Sequence, residues 1–130
     1  MPERVSIEMP GFKHNNPIPV ASRIGPFLAS GALTGRDPRT RQMPPGLDQQ
    51  CANVFGHVRT LLEVAGGTPD DILKMTFYLA DPRDRAALNR EWLAMFPDPA
   101  CRPARQALAA QLDGDALMHC ELLAVLRDAP

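Results

Sequence analysis

The chain has 130 residues, of which 45% are hydrophobic and 22% charged, a balance that fits one packed domain and excludes disorder or a fibrous repeat. Fourteen basic and fifteen acidic residues leave a net charge of −1, and the basic residues are dispersed, which excludes recognition of nucleic acid through a basic field. No apolar run reaches the ~20 residues that a membrane span needs.

Met1-Pro2-Glu3-Arg4 has no apolar stretch of the kind that opens a signal peptide, so export is not expected. Arg4 to Glu8 reads as a short first strand, and His14-Asn15-Asn16-Pro17 is turn chemistry. Ile18 to Ile24 and Phe27 to Ala32 read as a hairpin closed by Gly25-Pro26, and the proline-rich stretch from Arg36 to Gly46 reads as a loop. Asp48 is the expected N-cap of a first helix, in which Cys51, Val54, Val58, Leu61, Leu62 and Ala65 recur on one face. Gly66-Gly67 ends it, because glycine tolerates the left-handed conformation of a C-cap. Thr68-Pro69-Asp70-Asp71 combines a cap, a proline at the first position and an acid three residues after the cap, so it predicts one short helical turn. Ile72 to Leu79 reads as a strand. Asp81-Pro82-Arg83-Asp84 repeats the start signal and is expected to open a second long helix through Leu88, Trp92, Met95 and Phe96, closed by Pro97 and Pro99. Ala104 to Leu112 and Ala116 to Leu126 read as two last strands in a hairpin about Asp113-Gly114. Two helices with one apolar face each must cover a sheet, which gives a single α+β domain over residues 1–130.

Three cysteines without close spacing, Cys51, Cys101 and Cys120, make a poor disulfide framework, and no Cys/His cluster has the spacing of a metal site. A reducing cytoplasm is the expected compartment.

Ala29-Ser30-Gly31, Gln50, Glu63-Val64-Ala65-Gly66-Gly67, Asp71-Ile72-Leu73-Lys74, Leu88-Asn89-Arg90-Glu91-Trp92 and Arg102-Pro103-Ala104-Arg105 resemble, in order and spacing, the RidA/YjgF/YER family from about Pro17 to Leu126. The resemblance implies a chorismate-mutase-like fold, a mixed sheet backed by two helices. It also implies a homotrimer whose sheets close into a central barrel, with small-molecule pockets in the clefts between subunits. Members of the family hydrolyse enamines and imines that escape from pyridoxal-phosphate enzymes, giving a 2-keto acid and ammonia, and need no metal or organic cofactor.

Residue by residue, Arg105 matches the family arginine that grips the substrate carboxylate, a role suited to a planar guanidinium fork that stays charged when partly buried. Gly31 matches the glycine whose backbone approaches the ligand; a bulge or a tight strand crossing would also explain it. Asn89 matches a family asparagine near the pocket, and could also serve as a helix-surface amide. The chain departs from the family at the acid. Deaminating members carry a Glu on the last strand that orients or activates water. Aligned on Glu121-Leu122-Leu123-Ala124, that Glu falls on His119, and without the one-residue gap it falls on Cys120. Strand alternation puts His119 and Glu121 on one face, about 7 Å apart. Either His119, as a general base with a near-neutral pKa, or Glu121 would then steer the water; alternatively His119 lines the pocket and only binds. The aromatic that other members place at the N-terminal edge of the pocket is absent from Asn16-Pro17-Ile18, and a common family cysteine is replaced by Ala107. Cys120 lies on the opposite face from His119 and reads as a small core residue, as does Cys51. Trp92 and Phe96 also read as core rather than as a stacking platform.

Three functions follow from these residues. The first is an enzyme that hydrolytically deaminates small imine or enamine acids, with Arg105 as carboxylate clamp and His119 or Glu121 on the water. The second is a protein that binds a small carboxylate in the same cleft without turnover. The third, an endoribonuclease like some described relatives, conflicts with a surface that is not basic.

Overall fold

The computed structural model describes residues 3–12 and 15–127; His14 of the expected turn, and Met1-Pro2, lie outside them. Strands β1 (Val5–Ile7), β2 (Ala21–Ile24), β3 (Phe27–Ser30) and β4 (Leu33–Thr34) precede helix α1 (Leu47–Ala65). After a 3-10 turn at Pro69–Asp71 come β5 (Ile72–Leu79), α2 (Ala86–Met95), β6 (Ala104–Ala109) and β7 (Met118–Val125). The described strands form one seven-stranded sheet in the order β1-β2-β3-β7-β5-β6, with β4 also pairing with β7. β5 and β6 are parallel and the remaining pairs antiparallel, so the sheet is mixed.

Local signals act where they were expected. Gly66 takes φ 87°, and Gly66 N–H and Gly67 N–H donate to Glu63 O and Leu62 O, closing α1 in a Schellman motif. Thr68 and Asp71 form a reciprocal capping box, and Arg127 Nε ties the same Asp71 carboxylate to the end of the sheet at 3.0 Å. Both helices cover one face of the sheet: the Phe77 ring stacks on Phe55 of α1 at 5.7 Å and meets Trp92 of α2 edge-on at 6.3 Å. Met118, Cys120, Leu122 and Ala124 of β7 point into this core, all within 3% of complete burial. Among the described residues no helix covers the other face. It leaves Ile24, Phe27, Leu73 and Leu123 between 48% and 64% exposed.

Four expectations are corrected. β6 and β7 are not a hairpin, because β5 lies between them, parallel to one and antiparallel to the other. A return through α2 sets β6 parallel to β5, and the following segment crosses the end of β5, held by Ala110 N–H to Leu79 O and Ala80 N–H to Leu117 O, both at 3.0 Å. Asp113-Gly114 turns the chain within that crossing, with Gly114 at φ 56°. Second, Asp81-Pro82 does not open α2. The Asp81 carboxylate accepts from the Arg83 backbone and guanidinium, so it folds a tight turn, and the helix starts five residues later with Arg85 at its N-cap. Third, Gly46 rather than Asp48 caps α1, and Asp48 sits in the first turn, where its charge favours the helix dipole. Fourth, the strands are shorter than their apolar runs: Ile18-Pro19-Val20 lies outside β2, β6 stops at Ala109 and β7 starts at Met118.

Candidate functional site

Alternation along β7 leaves His119, Glu121, Leu123 and Val125 on the helix-free face. The register with β5 sets Tyr78 opposite His119 and Thr76 opposite Glu121, while β4 sets Thr34 against His119 from the other side. The Tyr78 hydroxyl donates to Glu121 Oε1 at 3.0 Å, and its ring lies 5.1 Å from the His119 ring at a tilt of 58°. The result is a connected Tyr78–Glu121–His119 group. Burial holds the His119 imidazole below its ordinary pKa against the opposing pull of Glu121 and Asp113, so the ring is neutral at pH 7. The hydrogen bond to Glu121 pushes the Tyr78 phenol up, so it stays a donor. Ser30, Lys74 and Thr76 line a hollow with Glu121 on the same face. Sequence reading missed Tyr78, although the period of two along β5 places it with Lys74 and Thr76.

Gly31 follows β3 at an irregularity in the sheet. From Ala29 to Leu33 the chain advances four residues while its partner β7 advances three, from Leu123 to Cys120. Gly31 N–H donates to Val20 O at 2.9 Å, and Ser30 Oγ donates to Gly31 O and accepts from Leu122 N–H. A Cβ at Gly31 would meet only Val20 O, at 3.6 Å, an ordinary contact. The fold therefore does not itself demand glycine here.

Arg105 lies on the other side of the sheet. It pairs with Met75, which is fully buried beneath the helices, so its side chain leaves β6 toward α2. Its guanidinium carbon sits 5.1 Å from the centroid of the Trp92 ring. Trp92 is core, as expected, but it is also a platform for this cation. Burial, and then the charge of Arg85, weaken the hold of Arg105 on its proton. Asn89 is exposed on α2, three residues before Trp92. Arg105 and Asn89 thus share the helix side, while His119 and Glu121 share the open side. Two strand spacings and the thickness of the sheet separate the groups within one chain.

Cys120 is fully buried on the core face, and burial pushes its thiol far up, so it cannot act as a nucleophile beside His119. Burial likewise pushes Cys51 up to about 12. Among the described residues no three His, Cys, Asp or Glu side chains are placed to hold a metal ion, and no helix is long and apolar enough to cross a membrane.

Comparison with known proteins agrees with this architecture. A RutC family protein of Pyrococcus horikoshii is 31% identical over 120 residues, covering 87% of this chain and 94% of the relative. The 2-iminobutanoate/2-iminopropanoate deaminase of Escherichia coli is 31% identical over 106 residues, covering 80% and 83%. Among solved structures, RidA from an Antarctic Psychrobacter superposes with a TM-score of 0.80 at 26% identity, covering 87% of this chain and 91% of that one. The family model described as Endoribonuclease L-PSP matches residues 20–126, and the chain belongs to that family, the RidA/YjgF family.

Proposed function

We propose that this protein hydrolyses small imine or enamine acids to 2-keto acids and ammonia, in a cleft formed between copies of the chain. The observation that carries this reading is the neutral, half-buried His119 held beside Tyr78 and Glu121 on a sheet face that no helix covers. Water adds to the carbon of the protonated imine as the C=N π electrons shift to nitrogen, and one water proton passes to His119. The carbinolamine nitrogen then takes that proton back, and the C–N bond breaks as the hydroxyl gives up its proton, forming the ketone and releasing ammonia. Addition of water and loss of ammonia change no oxidation state and need only proton transfers from the protein, so the proposed reaction calls for neither metal nor organic cofactor. Glu121, fixed by the Tyr78 hydroxyl, orients the water or takes the proton if His119 does not.

Arg105 is the proposed carboxylate clamp, with Asn89 and the Gly31 backbone as further contacts to substrate. Arg105 and His119 lie on opposite faces of one sheet, so a molecule touching both must bridge two chains. The apolar open face, with Phe27 at 64% exposure, supports an assembly that covers it. A homotrimer with its sheets closed into a barrel does so for every copy. A monomer mass at micromolar concentration in light scattering would refute it. Free thiols at Cys51, Cys101 and Cys120 support a reducing, cytoplasmic setting.

A second reading is supported by the sequence: in either register of the last strand, the family Glu of deaminating members falls on a residue that is not a carboxylate, His119 or Cys120. In that reading the cleft binds a small carboxylate without turnover. The deciding experiment generates 2-iminopropanoate in solution and follows pyruvate and ammonia. Deamination faster than in buffer, lost in Arg105→Ala, supports the enzyme. Saturable carboxylate binding without acceleration supports the binder. Arg105→Ala should weaken carboxylate binding by on the order of 2–5 kcal/mol, and Lys should rescue it poorly for want of a planar fork.

A further inference from the structure

Arg85 belongs to no motif that the proposed reaction uses. It is the N-cap of α2, and it precedes Asn89 by four residues and Trp92 by seven. Positions i, i+4 and i+7 lie along one helix face, so Arg85, Asn89 and Trp92 form a single stripe about two turns long. The Arg105 guanidinium rests on the Trp92 end of that stripe. Arg85 Nη1 is sealed from solvent and has no hydrogen-bond partner among the described residues. The ion pairs among those residues are Arg83–Asp81, Arg90–Asp48 and Arg127–Asp71, and none of them serves Arg85 or Arg105. The two charges feel each other, since Arg85 adds to the burial that weakens Arg105 as a cation.

Two uncompensated guanidinium groups at one end of a domain cost stability through repulsion, and a buried N–H without an acceptor adds its own desolvation cost. A single monocarboxylate on Arg105 would relieve only half of this. We propose that Arg85 and Arg105 form a double anion site along the Asn89–Trp92 stripe, and that its ligand is a small acid with two carboxylates. The proposal rests on the assignment of Arg105 as the carboxylate clamp and narrows the substrate class to imines or enamines of dicarboxylic acids. Arg105 takes the carboxylate beside the reacting carbon. Arg85 takes the distal one, and the exposed Asn89 amide lies between them as a neutral donor.

The test is calorimetric titration of the full chain with malonate, succinate, glutarate and adipate, each against the monocarboxylate of equal carbon number. A second charge-assisted hydrogen-bonded contact should make at least one dicarboxylate bind about tenfold more tightly than its monocarboxylate partner. Arg85→Gln should bring that dicarboxylate down to the level of its partner, and Arg105→Gln should abolish binding of both. Equal affinity of the two series in the wild-type chain, with binding still dependent on Arg105, overturns the double site and leaves the clamp intact. A dicarboxylate margin that survives Arg85→Gln overturns it as well. Binding that is unchanged in Arg105→Gln overturns the clamp itself. The wild-type comparison requires no variant to fold, so it decides even if Arg85→Gln proves unstable.

Discussion

Gln50 is the residue whose loss should most directly loosen the approach to the candidate site. Its side chain is fully buried on α1, and it joins three separate segments. Nε2 donates to Pro44 O at 2.7 Å and to Asp115 O at 3.0 Å, while Oε1 accepts from Leu117 N–H at 2.8 Å. These contacts fix the proline-rich loop and the crossing segment against the helix, and Leu117 lies two residues before His119. Gln50→Leu keeps most of the volume and removes all three bonds. At about 1 kcal/mol net for each, the gross loss is roughly 3 kcal/mol. Asp115 is exposed, so its carbonyl can turn to water, whereas the Leu117 N–H faces the missing side chain. The expected destabilisation is therefore about 2–3 kcal/mol, a large share of the ~5–15 kcal/mol that holds a typical domain. Urea unfolding at fixed chain concentration measures it, and Trp92, the sole tryptophan and a buried one, supplies the fluorescence signal. The midpoint should fall with an unchanged slope, and the Leu117 amide should exchange faster. A variant within about 0.5 kcal/mol of wild type would show that the three bonds are replaced by water at no cost and that Gln50 does not hold the entry to β7.

Gly31→Ala should fold as stably as wild type, because the new Cβ has room, yet bind carboxylates more weakly; Gly35→Ala should be severely destabilised, since its Cβ would lie 2.7 Å from the Gln50 backbone oxygen. Thermal melts of the two variants side by side check the contrast. Deamination of 2-aminoacrylate should be slower than in relatives with a Glu at the His119 position. It should hold below pH 6.5 and then decline as His119, its pKa lowered by burial, takes up a proton. His119→Ala should abolish turnover if the imidazole is the base, whereas a mild His119→Ala effect beside a severe Glu121→Gln effect assigns the role to Glu121; fast turnover unchanged in both variants refutes the alignment of β7. His57 adds a pH-dependent contribution to stability. Its Nδ1–H donates to Thr34 O at 2.8 Å, and burial holds the ring below its ordinary value of 6.5. The stability it contributes is fully present above pH 6.5 and is lost as pH falls toward the lowered folded value, so His57→Gln should flatten the acid side of the stability curve.

The sequence by itself determined those features whose physics closes within a few residues. The Gly66-Gly67 stop, the Thr68–Asp71 capping box and the full span of β5 are set by bonds between near neighbours and by composition, so they read directly from the chain. The period of two placed His119 and Glu121 on one face of β7 and Cys120 on the other, and it required no knowledge of what lies opposite. Tertiary structure decided the rest. Asp113-Gly114 turns equally well in a hairpin or in a wide crossing, so only the sheet could show that β5 comes between β6 and β7. Asp81-Pro82 carries a helix-start signal, but the Asp81 carboxylate is taken by Arg83, and the helix waits for Arg85. The register that pairs Arg105 with the buried Met75 sends its side chain to the helix side, away from His119 on the open face. Arg85 carried no motif at all. Its electrostatic influence on Arg105 arises because Trp92 of α2 meets Arg105 of β6, a packing of helix on strand that no local rule encodes.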